Sequence, residues 1–117
     1  MLNLAGKRVF LACGSTDMRL HINGLAALVE ASFKLDPFDG ALFVFCNRNR
    51  DRIKILVFDE DGFWLCQKRL EKGRIRWATL EDELTMQLTG EELSYLLSGT
   101  KVELKLKRNS VTERRII

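Results

Sequence analysis

Four cations crowd one short stretch. Asn47-Arg48-Asn49-Arg50-Asp51 is followed by Arg52-Ile53-Lys54, and apolar runs flank it on both sides. Guanidinium groups make bidentate contacts to phosphate, and a turn presents them freely. Asn47 and Asn49 add amides that suit phosphates or base edges. Lys68, Arg69, Arg74 and Arg76 fall in the segments that follow and extend the same chemistry. A patch of this kind binds DNA or RNA mainly through the backbone, with a steep dependence on salt. Two other readings stand beside it: a charged hairpin that discourages edge pairing, and a docking surface for an acidic partner.

Catalytic chemistry finds less support. His21 is the sole histidine, and no nucleophile elbow accompanies it. Asp17, Asp51, Asp59 and Asp61 are the carboxylates a two-metal nuclease would need to converge. Three of them sit in expected turns, where Asp serves the backbone. Gly14-Ser15-Thr16 lacks the spacing and the lysine of a phosphate loop. Cys13, Cys46 and Cys66 are an odd number in apolar runs, without a C-x-x-C pair. They read as buried free thiols rather than a disulfide framework or a zinc site. The residues therefore predict no catalytic group, no metal and no cofactor.

The elements that position the cations come from a meander between Leu42 and Trp77. Runs rich in Phe, Ile, Val, Leu and Trp predict strands at Leu42–Cys46, Arg52–Phe58 and Phe63–Arg69, with a short return at Arg74–Trp77. Asp59-Glu60-Asp61-Gly62 is a hairpin signal in which Gly62 supplies positive φ. Pairing Phe58 with Phe63 sets Val57 against Trp64 and Ile55 against Cys66. With Phe45 opposite Ile53, one face holds Phe43, Phe45, Ile53, Ile55, Val57, Trp64 and Cys66. The other holds Leu42, Val44, Leu56, Phe58, Phe63 and Leu65, then grades into Arg52, Lys54, Gln67 and Arg69. Phe58 and Phe63, if no helix covers them, form a protein-interaction patch.

Before the meander, Arg8–Cys13 reads as a strand. Leu20, Gly24, Ala27, Leu28, Ala31 and Leu35 form an amphipathic helix that starts at Met18 or after Asn23 and stops before Pro37. After it, Leu84, Met86 and Leu88 alternate as a strand. Thr89-Gly90-Glu91-Glu92 is a capping box opening a short helix, with Gly99 at its C′ position. Val102–Leu106 alternates as a last strand. This is an α+β chain: an antiparallel sheet with one main helix on a face and a short C-terminal helix. A single domain over 1–104 and a basic tail over 105–117 are expected.

Composition bounds this reading. The chain has 117 residues, 46% hydrophobic and 30% charged, which suits one folded core. The net charge of +3 is too small to argue for nucleic acid by itself; the local clustering carries that case. No charged start followed by an apolar stretch marks a signal peptide. No apolar run nears the roughly 20 residues that span a bilayer. The expected setting is the cytoplasm, without membrane or small-molecule partners.

The sequence also resembles a known family. Thr16-Asp17-Met18-Arg19, Asn23–Val29, Asp36-Pro37-Phe38, Gly40–Arg48, Asp51–Leu56, Asp61–Leu65, Lys68–Gly73, Leu88-Thr89 and the Leu93–Gly99 helix are similar, in register, to the small accessory protein of the insertion sequence 66 family of bacterial transposable elements. That protein is called TnpB in those elements and is unrelated to the RNA-guided nuclease of the same name. The chain departs from the family pattern at Asn49, Val57-Phe58, Cys66 and Ala78. The resemblance implies an accessory role in transposition beside a larger transposase that does the strand chemistry. It brings no catalytic residues. Contact with the element's DNA ends and docking on the transposase without DNA are the two roles left open.

Overall fold

The computed structural model describes residues 4–79 and 82–98. Seven elements follow in order: β1 (Val9–Ala12), α1 (Ile22–Ala31), β2 (Leu42–Cys46), β3 (Arg52–Asp59), β4 (Gly62–Arg69), β5 (Thr85–Leu88) and α2 (Gly90–Leu97). The strands form one sheet in the order β4-β3-β2-β1-β5. The fold is α+β, as expected. All pairings are antiparallel except β1 with β2, which run parallel because α1 carries the chain back between them.

The β3–β4 register matches the expected one, with Phe58 opposite Phe63, Val57 opposite Trp64 and Ile55 opposite Cys66. The β2–β3 register does not. Ile53 lies opposite Cys46 rather than Phe45. The single-residue slip moves Phe43 and Phe45 to the other face, beside Leu56, and moves Leu42, Val44 and Cys46 beside Ile53, Ile55 and Val57. Local chemistry sets the register. Asn47 brackets the turn: its amide donates to Arg52 O at 3.2 Å, and its Oδ1 accepts from the Asp51 and Arg52 amides at 3.0 Å.

Each face has its own cover. α1 lays Leu25 and Val29 against Ala12, Phe43, Phe45 and Leu56. The helix begins at Ile22, with His21 in the N-cap position but making no side-chain cap. The left-handed Lys34 (φ 58°) turns the chain after its end, ahead of Pro37. On the opposite face α2 contributes Leu93 and Leu96 to a core with Val9, Leu11, Met86 and Leu88. Its capping box is present as predicted, with Glu92 N donating to Thr89 Oγ1 (3.1 Å) and Thr89 N donating to Glu92 Oε1 (2.9 Å). Gly90 is required at that start, because a Cβ there would lie 2.0 Å from Leu4 O.

Arg74–Trp77 alternates exposed and buried as expected, but it is not a sheet strand. It folds over the α2 face, burying Ile75 and Trp77. The Trp77 indole donates to Ala12 O at 2.9 Å, which satisfies its polar edge inside the core. At the acidic hairpin, Glu60 takes the left-handed conformation (φ 56°), not Gly62. Cys46 is fully buried, and loss of hydration pushes its thiol up to about 12. The expected Gly99 cap, the Val102–Leu106 strand and the 105–117 tail lie outside the described residues.

Candidate nucleic-acid interface at one end of the sheet

The ends of β1, β2 and β4 and the starts of β3 and β5 lie at one end of the sheet. The basic loop sits there. It is a built turn rather than a slack one. Besides the Asn47 bracket, Asn47 Nδ2 donates to Asp51 Oδ1 at 2.7 Å, and Arg50 N donates to Asn47 O at 3.1 Å. Two bonds stitch the turn to the segment after β4: Leu70 N to Asp51 O and Ile75 N to Arg50 O, both 2.7 Å. Arg50 is held left-handed (φ 60°), a conformation that costs a side chain bearing a Cβ. Asn47 is therefore spent on the turn itself, which leaves Asn49 as the exposed amide.

The stitching brings several expected cations together. Arg48 is exposed and Arg50 half-buried at the turn, and Arg74 and Arg76 are exposed on the segment tied to it. Arg52 lies directly opposite Arg69 in the ladder. Like charges so placed repel and are kept at a cost; Arg69 is partly relieved by Glu71 at 3.0 Å. Among the described residues, no ion pair or hydrogen bond engages the guanidinium groups of Arg48, Arg50, Arg52, Arg74 or Arg76.

Two expected members leave the patch. Lys54 is 4% exposed, and its ammonium donates to Met18 O and Leu20 O, both at 2.8 Å. It pins the loop before α1 to the sheet and has no reach to a phosphate. Lys68 points to the opposite face, where its ammonium donates to Leu97 O at the C-terminus of α2. A cation there satisfies a terminal carbonyl and the helix dipole.

One cation at this end carried no sequence signal for binding. Arg19 has a side chain 91% exposed, in the loop that Lys54 pins and that Thr16 N ties to Cys46 O at 2.7 Å. Its guanidinium and its own amide both bond Asp17. That pairing holds the Asp17 carboxyl down at about 2, against its ordinary 3.8.

The expected Phe58–Phe63 patch is half-roofed. Phe38, from the turn before β2, packs its ring on both, at 5.2 and 5.3 Å between centroids, and Phe63 also abuts the α1 core. The rings left open are Phe38 (55% exposed) and Trp64 (59%). His21 is exposed. Among the described residues, no three His, Cys, Asp or Glu side chains gather as a metal site, and no helix is long and apolar enough to cross a membrane.

Fold and site together define a small α+β module with a cationic rim at one end of its sheet. A model of the IS66 Orf2-like protein family matches residues 7–107, and the chain belongs to that family, which is associated with transposition. Two proteins of Sinorhizobium fredii (strain NBRC 101917 / NGR234) are similar to it. Protein y4hO is 42% identical over 92 residues, 79% of each chain. Protein y4jC is 34% identical over 103 residues, 86% of this chain and 87% of its own. No solved structure matches.

Proposed function

We propose that this protein is a non-catalytic accessory factor in transposition, working in the bacterial cytoplasm beside the element's transposase. In this reading it contacts DNA at the element's ends through Arg48, Asn49, Arg50 and Arg52, with Arg69, Arg74, Arg76 and Arg19 in support. The observation that carries the reading is the turn itself. Its backbone is bracketed by Asn47 and stitched to the segment after β4, and its guanidinium groups have no described partner inside the fold. A turn that only needed solubility would not need that bracing. The reading includes one domain over 1–104 followed by a basic tail over 105–117.

Fluorescence anisotropy against a duplex carrying the element's end and against a scrambled duplex, over a salt series, tests this. Each phosphate contact contributes a slope of about −0.9 in log affinity against log salt. Preference for the end sequence would make the protein an end-recognition factor. Equal, salt-steep binding to both would make it a backbone contact inside a larger complex. Absence of binding at low salt would leave the second reading, docking on the transposase without DNA. The open rings of Phe38 and Trp64 favour that second reading.

A further inference from the structure

The far end of the β3–β4 hairpin has a different character. β4 is the outer strand of the sheet, and its outer edge has no strand partner among the described residues. Such an edge invites pairing unless charges guard it. Lys68 and Arg69 guard one half. The other half, Gly62-Phe63-Trp64-Leu65-Cys66, carries no charge, and Trp64 stands open upon it. The indole is not loose: its Nε1 donates to Asp59 Oδ2 at 3.2 Å. Asp59, Glu60 and Asp61 are exposed beside this half-edge, and no described Lys or Arg pairs with any of them.

We propose that this half of β4 is a docking edge for an extended, arginine- and lysine-bearing segment of a partner protein. The segment would add as a strand, with main-chain bonds to β4. Side chains of an added strand alternate between faces. They would fall in turn beside Trp64 on one face and beside Phe38 and Phe63 on the other. Cations stack on such rings and are drawn by the three carboxylates. The opposite sign at Lys68 and Arg69 sets where the basic part of the segment ends. This site is distinct from the DNA-contacting rim and does not depend on it; it gives the transposase-docking reading a surface and a partner chemistry.

The test uses the full chain and a fluorescein-labelled peptide of alternating arginine and valine, with its glutamate counterpart as control. Saturable binding of the arginine peptide is expected, with little binding of the glutamate one. Trp64→Ala should weaken it about fivefold to tenfold. Trp64→Lys, which places a guarding charge on an exposed position, should abolish it. Arg48→Ala with Arg50→Ala should leave it unchanged. Trp64→Ala should in turn leave duplex binding unchanged, so failure here and failure of the DNA reading show in different measurements. No binding at millimolar peptide, equal binding of both peptides, or indifference to Trp64→Lys overturns the proposal. So does a dimer in sedimentation that Trp64→Lys dissolves, because the occupant would then be a second copy.

Discussion

The two ends of the β3–β4 hairpin use charge differently. At the basic end, a tied turn presents Arg48, Arg50 and Arg52 with no described side-chain partners, while neighbouring polar groups are consumed by structure: Asn47 and Asp51 by each other, Lys54 by the carbonyls of Met18 and Leu20. At the acidic end no described backbone bond stitches the turn to another segment, and Asp59 orients an exposed indole. The contrast teaches that charge type alone does not mark a functional residue. Arg52 and Lys54 are neighbours on one face of one strand, yet one is exposed and the other is 4% exposed with two hydrogen bonds.

Neutralising each end separately should break the symmetry most visibly. Replacing Arg48, Arg50 and Arg52 together with Ala is expected to lower duplex affinity at moderate salt by at least about tenfold, through lost counterion release. Replacing Asp59, Glu60 and Asp61 with their amides should not lower it. Anisotropy on one duplex reads both. Within the basic end, Lys54→Ala should cost about 1–3 kcal/mol of stability, by stranding the two carbonyls it satisfies. Arg52→Ala should stay within about 0.5 kcal/mol, as an exposed substitution. Urea unfolding separates the two.

Each end also holds one residue left-handed, Arg50 and Glu60. Glycine at either should raise stability by about 0.5–1 kcal/mol, the relief of the Cβ clash less the entropy glycine loses on folding. Only Arg50→Gly should also weaken duplex binding. Such a variant, more stable and less able to bind, separates function from folding.

The smallest effect concerns Asp17. Its lowered pKa means that the Asp17–Arg19 pairing contributes in full above about pH 3.8 and is lost as the pH falls through about 2. Neutral-pH stability should therefore be flat with respect to this group. An NMR titration should place its midpoint near 2, and Arg19→Gln should return it toward 3.8.

Much of the frame was legible in the sequence. The β3–β4 register followed from alternation on either side of an acidic turn, and the α2 start followed from Thr89 and Glu92. The β2 register was not legible, because Leu42–Cys46 is apolar at every position and buried on both faces; alternation says nothing there. The start of α1 was missed because His21 caps by position and not by side chain. The candidate site was legible as a stretch of cations but not in which of them the fold brings together. Lys54 is buried by carbonyls 36 and 34 residues away. Arg19 joins the same end through Lys54, the Thr16–Cys46 bond and the parallel β1–β2 pairing. The open aromatics were displaced by one contact, since Phe38 covers the pair expected to be exposed and takes the exposure itself.

The most direct measurement is the salt slope of duplex binding for the wild-type chain and for the Arg48, Arg50, Arg52→Ala variant, side by side. If these three side chains contact phosphates, the variant's slope should be shallower by about 3, near one per lost contact. Equal slopes and equal affinities in a variant that folds normally would contradict the account and move the protein's role away from DNA.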